Sequence, residues 1–520
     1  MVARSSVGGM PRPARVAPVR LSTLAGGTLR GADVLVTGVT AGTAFVHAGD
    51  LFAGVPGAKA HGASYAAQAA NAGAVAILTD HAGAALVPAG LPVLVVPDVR
   101  AVLGPASARV YGDPSAALSM FGVTGTSGKT TTTFLIRAGL AATARVPGLI
   151  GTVATMIGGD EIKTGFTTPE APEVQALLAV MRERGATDVA MEVSSHALTY
   201  GRVDGIRFDV AAFTNLSEDH LDLHTDMEDY FSAKAMLFDR TERAVIVEDD
   251  AWGRRLAEKL GRPVTVTSMG TAGTWHAADV AENPDGSTSF RAIGPQVDIA
   301  AGCAIPGRFN VANALLALAM LHAAGVDPAV AAPAIATASV PGRMERIDAG
   351  QPFLAVVDYC HKPAAVDGAL RALRSLTRGK LIIVLGCGGD RDRGKRPHMG
   401  EIAARGADLL VVTDDNPRSE DPGAIRRGML DGALGVPPGE RGEVLEIGAR
   451  AEAIATAVAA AGDGDTVLVA GKGHESGQEI AGVVHPFDDR IVLREAIEAG
   501  RSTPRNRSAK NAPRFPGDPG

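Results

Sequence analysis

At 520 residues the chain exceeds what one hydrophobic core usually serves, so two to four domains are expected. A net charge of −7, with no block of lysine and arginine, argues against nucleic acid as the main partner, and no apolar run approaches the roughly 20 residues that span a bilayer. Three cysteines (Cys303, Cys360, Cys387) make neither a disulfide framework nor a metal-ligand spacing, which suits a reducing, cytoplasmic setting.

The first 20 residues carry arginine and proline without an apolar core, and read as a disordered leader rather than a secretory signal. Residues 21–115 form a first domain. Short strands ("VAILTD", "PVLVVP") alternate there with an alanine-rich helical pattern around "SYAAQAANAGA". Residues 116–340 form a second, opening on "LSMFGVTGTSGKTTTTFLIRAGL": strand, glycine-rich turn, helix. "DVAMEVSS" and "FDVAAFTNLS" are further buried-strand candidates. Residues 341–503 form a third, in which "FLAVVDY", "LIIVLGCGG", "LLVVTDD" and "DTVLVAGKG" are separated by helical patterns. Residues 504–520 read as a disordered tail. Strands alternating with helices predict an α/β fold with parallel sheets, and functional residues beyond the strand ends.

"GVTGTSGKTT" is a phosphate-loop variant. Gly122, Gly125 and Gly128 free backbone N–H groups to face an anion, Lys129 neutralises phosphate charge, and Thr130 offers a hydroxyl to magnesium. The strict eight-residue spacing would place its first glycine at 123, where Val123 stands. The loop signals a nucleoside triphosphate and leaves kinase, GTPase and ligase open.

Beyond it, Glu192 and His196 follow one strand, and Asp219, His220, Asp222 and His224 follow another. His196 and His224 also fit core or capping roles, and Lys234, on the apolar segment "YFSAKAMLF", also fits a snorkelling lysine. Together, Glu192 and His220 suggest a magnesium site facing the loop. A lysine beside a divalent cation is repelled, unless CO2 converts it to a carbamate of opposite charge.

The combination of "TGTSGKTT", "TTPE", "MEVSSHAL", "NLSEDHLDLH", "YFSAKAMLF", "PGRFNVANALLALA", "PGRMERI", "DYCHKP", "GCGGDRDRGKRP", "DDNPR" and "GKGHE" resembles the Mur ligase family, in its tripeptide-forming branch, over nearly the whole chain. The resemblance implies three domains: one for a UDP-sugar, a central P-loop-type parallel-sheet ATPase, and a Rossmann-like C-terminal domain for an amino acid. It implies ATP, Mg2+ and a carbamylated lysine, and UDP-MurNAc-L-Ala-D-Glu and diaminopimelate as substrates of a cytoplasmic, monomeric enzyme.

Residue by residue, it implies that Gly125, Thr126, Ser127, Gly128, Lys129, Thr130 and Thr131 cradle the ATP phosphates. Asn313, Arg343, Asp358 and His361 contact the nucleotide. Thr130, Glu192, His220 and the carbamate of Lys234 hold magnesium. Lys129, Lys234, His220, Glu192 and Arg343 serve the chemistry. Thr43, Thr167, Thr168, Ser194 and Arg202 hold the UDP-MurNAc-dipeptide. Arg391, Asp415, Asn416, Pro417, Arg418, Gly471 and Glu475 hold the amino acid.

In "VVTDDNPRSEDP" one arginine sits among carboxylates. Diaminopimelate has a distal ammonium and carboxylate. Arg418 and Arg391 suit the carboxylate, while Glu475 with Asp415 or Asn416 suits the ammonium. Lysine, lacking that carboxylate, would leave Arg418 unpaired. A bland alternative is that Asn416-Pro417 caps a helix.

The family's usual Asp-Ser-Arg before "GDLF" is missing from "GVTAGTAFVHAGDLF". Thr43 stands for the serine, but the acid and the arginine are gone. Phe166, Tyr200, Cys360, Lys362 and Ala364 also depart from common family residues. L-lysine or LL-diaminopimelate as acceptor, folylpolyglutamate synthesis, and a catalytically silent binding relative stand as alternatives.

Overall fold

The computed structural model describes residues 11–162, 169–219, 223–261, 263–268, 270–283 and 285–502. His220, Asp222, Phe166, Thr167 and Thr168 lie outside the described residues, as do residues 1–10 and the expected tail. Packing divides the chain into two compact units between Val340 and Pro341.

The first unit holds two main sheets. A five-stranded sheet runs in the order Thr28–Arg30, Val93–Val95, Ala76–Thr79, Asp50–Ala53, Gly38–Thr40, parallel except for the first strand. Its faces bury two apolar clusters, one around Leu51, Leu78 and Leu94 and one around Phe52 and Ile77.

The second sheet has eleven strands among the described residues. At its centre Ser119–Thr124 lies parallel between Asp188–Glu192 and Phe208–Phe213. These strands are almost continuously buried because helices cover both faces, which explains their unbroken apolar runs. Trp275–Glu282, Thr288–Gly294 and Val297–Cys303 extend one edge as an antiparallel meander. In Thr288–Gly294, buried and exposed residues alternate at first, as expected of a half-covered strand.

The second unit holds a six-stranded sheet in the order Glu345–Arg346, Leu354–Asp358, Thr466–Ala470, Leu381–Leu385, Leu409–Val412, Glu443–Glu446. All but the first strand run parallel. The Arg450–Asp489 ion pair is fully buried beside it, and Arg450 also donates to the Ala470 carbonyl at 2.9 Å.

Two expectations are corrected. Residues 11–20 are not a disordered leader. Val19–Arg20 pairs with Leu35–Val36, and Arg12 forms a 2.6 Å ion pair with the buried Asp50. An arginine-proline segment looks unstructured in sequence because its partner lies 38 residues away. Nor does Asn416-Pro417 cap a helix. The next helix, Pro422–Gly435, starts with Pro422 in its first turn, and the Asp421 side chain accepts from the Gly423 and Ala424 amides at its N-terminus.

Candidate active site

In both units most candidate residues stand where parallel strands end, the position that leaves loops free of sheet pairing, while Lys234 and Asn313 lie on helices. In the first unit, Ser119–Thr124 runs into the glycine turn, and Lys129 opens the helix Lys129–Ala141. Gly128 has a φ of +87°, and a Cβ there would lie 2.5 Å from Asn313 Oδ1. Only glycine fits both the conformation and the contact. Asn313, on the helix Phe309–Ala323, is held by its own bond to Asn310 Oδ1 at 2.8 Å.

The turn is fastened to the loop that follows Phe208–Phe213. The Thr126 amide donates to the Asn215 carbonyl at 2.9 Å, the Ser127 amide to Asn215 Oδ1 at 3.0 Å, and Thr214 Oγ1 to the Ser127 carbonyl at 2.6 Å. Lys129 Nζ folds back onto the carbonyls of Gly125 (2.8 Å) and Thr126 (2.9 Å).

Glu192 is the last residue of its strand and is buried. Its Oε2 accepts from Thr130 Oγ1 at 3.0 Å and Thr152 Oγ1 at 3.2 Å, and its Oε1 from the Thr152 amide at 2.9 Å. Lys234 lies on Met227–Ala235, 1% exposed. Its Nζ donates to the Gly125 carbonyl at 2.8 Å and sits 4.5 Å from the centre of the Tyr230 ring. Lys234 is therefore no snorkelling surface lysine. Burial pushes the Tyr230 hydroxyl above its ordinary range, and that hydroxyl lies 3.3 Å from Thr126 Oγ1. His224 is buried, pairs with Asp229 at 3.3 Å and packs on Tyr230, so its place is structural.

Thr43 sits in the 3-10 turn Thr43–Phe45. Ser194 caps the helix Ser195–Thr199 by accepting from the Ala197 amide, and Arg202 pairs with Glu170 at 2.9 Å.

In the second unit the amino-acid candidates come together. Asp415, Asn416 and Arg418 follow Leu409–Val412, Arg391 follows Leu381–Leu385, and Gly471 and Glu475 follow Thr466–Ala470. Asn416 Nδ2 donates to Glu475 Oε2 at 2.8 Å. Gly471 has a φ of +115°, and a Cβ there would lie 2.5 Å from Asp415 Oδ2. Arg418 is itself left-handed, with a φ of +54°, which turns its side chain back over the Gly388–Gly389 loop. Its Nη1 donates to the Gly389 carbonyl at 2.7 Å and its Nε lies 3.3 Å from Glu479. Arg391 is exposed, its Nη1 within 3.4 Å of the Asp390 carbonyl.

Lys472 was not among the sequence candidates. It is fully buried and donates to Asn416 Oδ1 (3.1 Å), Glu475 Oε2 (3.2 Å) and the Gly477 carbonyl (2.6 Å). "GKGHE" was the available signal, but a lysine between glycines reads first as a phosphate ligand. Glu420 was also missed. Its carboxylate accepts from Arg396 at 2.9 Å and from the Asp390 amide at 2.7 Å, tying the Arg391 loop to the Arg418 loop. Those bonds hold it down to about 2.

Arg343, Asp358 and His361 gather at the end of Leu354–Asp358. Asp358 accepts from the amides of Met344 (2.7 Å) and Cys360 (2.8 Å). Arg343 stacks on Tyr359 at 4.3 Å, with His361 and His474 against the same ring. Burial lowers His361 to about 4, so its imidazole is neutral at physiological pH.

A glycine turn with its lysine beside a buried carboxylate, and a carboxylate–guanidinium cluster at the strand ends of a second sheet, mark a multidomain α/β protein whose two polar sites suit the chemistry of an enzyme. Comparison with known proteins narrows this. Residues 35–111 match the Mur ligase family catalytic domain, 123–321 the Mur ligase middle domain, and 342–473 the Mur ligase glutamate ligase domain.

The chain is 57% identical over 500 residues to the UDP-N-acetylmuramoyl-L-alanyl-D-glutamate--2,6-diaminopimelate ligase of Streptomyces avermitilis, covering 94% of this chain and 98% of that one. It is 52% identical to the enzyme of the same name from Corynebacterium glutamicum, covering 86% and 89%. A solved structure of a ligase of that name superposes with a TM-score of 0.70 at 32% identity, covering 94% of this chain and all of that one. The chain belongs to the Mur ligase family and is a ligase. A folylpolyglutamate synthase from Mycobacterium tuberculosis, at 19% identity and a TM-score of 0.59, shares the fold.

Proposed function

We propose that the chain couples ATP hydrolysis to joining the amine of diaminopimelate, in its meso form, to the D-Glu γ-carboxylate of UDP-MurNAc-L-Ala-D-Glu, in peptidoglycan precursor synthesis. The γ-carboxylate oxygen attacks the γ-phosphorus of ATP. ADP leaves, and an acyl phosphate forms. The neutral amine then attacks the acyl carbon, and phosphate departs with the former carboxylate oxygen. Phosphoryl transfer asks chiefly for positioning and charge neutralisation, the tasks of the Gly125–Thr131 turn, Lys129 and Arg343. Asn313, Asp358 and His361 are assigned to the nucleotide, and Thr43, Thr167, Thr168, Ser194 and Arg202 to the UDP-MurNAc-dipeptide.

Thr130 and Glu192 suit magnesium. Both are buried oxygen donors beside the phosphate turn, with Glu192 Oε2 already oriented by a 3.0 Å bond from Thr130. His220 is assigned to the same ion. Lys234 suits carbamylation, since a buried amine next to a second lysine gains by exchanging positive for negative charge. Bound there, magnesium would neutralise the charge developing on the phosphoryl oxygens.

The observation that carries the acceptor assignment is Arg418. It is held left-handed at a strand end, its guanidinium tethered beside the Asn416–Glu475–Lys472 cluster. Arg418 and Arg391 suit the distal carboxylate. Asn416 Oδ1 already serves Lys472 and the Glu479 amide, so Asp415 and the free capacity of Glu475 suit the ammonium. Three free, buried cysteines suit a reducing, cytoplasmic setting, and a monomer is proposed with it.

The test is phosphate release from ATP, Mg2+ and UDP-MurNAc-L-Ala-D-Glu with meso-diaminopimelate, LL-diaminopimelate or L-lysine offered separately. Release with the meso isomer is expected. Release with lysine alone overturns the acceptor, and release with none leaves a silent relative.

A further inference from the structure

Residues 40–49, "TAGTAFVHAG", contain no lysine or arginine, yet a guanidinium lies against the turn they form. It comes from Arg12. Nη2 donates to the Phe45 carbonyl at 2.9 Å, and Nη1 to Asp50 Oδ1 at 2.6 Å. Asp50 is 1% exposed, and its Oδ2 accepts from the His47 amide at 2.8 Å. The approach is close enough that a Cβ on Gly38 would stand 2.5 Å from Arg12 Nη1.

Two residues on, the amides of Ala14 and Arg15 donate to Glu183 at 2.8 and 3.1 Å. Glu183 ends the helix Ala171–Glu183, which follows "TTPE" directly in sequence. Arg12, Ala44, Phe45, His47, Tyr111 and Glu173 line one cleft between this turn and that helix. Glu173 Oε2 is buried there without a hydrogen-bond partner among the described residues.

We propose that Arg12 is a positioning residue for the nucleotide-sugar end of the precursor: residues 11–15 strap the Thr43 turn to the helix behind "TTPE", and the Arg12–Asp50 pair sets the conformation in which that turn meets the substrate. The inference rests on the reading of Thr43 as a UDP-MurNAc-dipeptide contact. Without Arg12, Asp50 is a buried carboxylate left with the His47 amide, and residues 40–49 hold no lysine or arginine to replace the guanidinium. Arg12 itself need not touch substrate. Its effect runs through the backbone of Phe45, the last residue of the turn, and of His47, two residues further on.

The experiment measures KM for UDP-MurNAc-L-Ala-D-Glu and for ATP, kcat, and thermal stability in the full-length chain. Arg12→Ala is expected to raise KM for the precursor about ten-fold, the scale of one lost charge-assisted hydrogen bond, with KM for ATP and kcat nearly unchanged. Ala44→Arg added to Arg12→Ala, which supplies a guanidinium to the same cleft from the turn itself, is expected to restore it. An unchanged precursor KM overturns the proposal. So does a parallel fall in all kinetic parameters with Tm that Ala44→Arg does not rescue, since that is a structural brace only. Thr43→Val separates the two layers. If it raises the precursor KM while Arg12→Ala does not, the Arg12 inference alone fails. If it leaves that KM unchanged, the reading of the turn fails first.

Discussion

Lys129 and Lys234 share one acceptor: the ammonium nitrogens of both lie 2.8 Å from the carbonyl oxygen of Gly125. Two cations on one neutral oxygen, one of them buried, are in tension. A triphosphate would draw Lys129 toward its oxygens, and a carbamate on Lys234 would remove the repulsion outright. Lys234→Ala should therefore lower kcat by about a thousand-fold, the scale of one preorganised charge contact, and added bicarbonate should not restore it. Carbon-13 bicarbonate should give a carbamate resonance in the parent chain that this variant lacks. A fully active Lys234→Ala chain discards the carbamate.

Arg418→Ala should raise KM for diaminopimelate by about a hundred-fold and leave KM for ATP within experimental scatter, since a site built for a carboxylate loses its partner. Arg418→Lys should recover little. An ammonium cannot make the forked pair, and the 2.7 Å bond to the Gly389 carbonyl depends on the reach of the guanidinium. Equal KM values for diaminopimelate in all three chains would remove Arg418 from the pocket.

How far these sites could be read in advance depends on whether their chemistry is local in sequence. Gly125 to Thr131 was legible because glycine spacing, a lysine and a threonine lie within one turn whose flanking strand and helix announce themselves. Glu192 was read as lying just past a buried strand, and it is that strand's last residue. The parallel sheets followed from unbroken apolar runs at helical intervals. Arg12 was not legible, because its meaning is an ion pair with Asp50. Lys472 was not, because its burial needs the loops after two separate strands, Leu409–Val412 and Thr466–Ala470, to converge on it. The meander over residues 275–303 escaped because its strands are rich in small and polar residues and hold few bulky apolar ones, which blurs the alternation that would mark them.

Lys472 tests the cradle from beneath. Its ammonium is fully buried and bonded to Asn416, Glu475 and Gly477. Lys472→Met fills the volume but removes three bonds at once, leaving Glu475 with only Asn416 Nδ2 and Asn416 Oδ1 with only the Glu479 amide. The expected cost is about 2 kcal/mol of stability, the scale of hydrogen bonds lost to a charged group that stays partly solvated, with a raised KM for diaminopimelate. Adding Glu475→Gln should return much of the stability but not the KM, because the carboxylate suited to the ammonium is then gone. Thermal unfolding and steady-state kinetics on the single and double variants check both, and a Lys472→Met chain of parental stability would show the network to be slack.

Glu173 sets a pH dependence of known sign. Burial in the cleft beside Arg12 raises its carboxyl from the usual 4.5 to about 7. Below pH 4.5 the group is protonated folded or unfolded and contributes nothing differential. Between 4.5 and about 7 the unfolded chain gives up its proton while the folded chain keeps it, so the folded state binds more protons and stability falls as pH rises. Above about 7 the full penalty is in place. Glu173→Gln keeps the shape of the side chain without the charge. Its Tm should match the parent near pH 4.5 and exceed it increasingly toward pH 7.5. Melting curves across that range check the prediction, and parallel parent and variant profiles would mean that Glu173 ionises in the cleft as easily as in water.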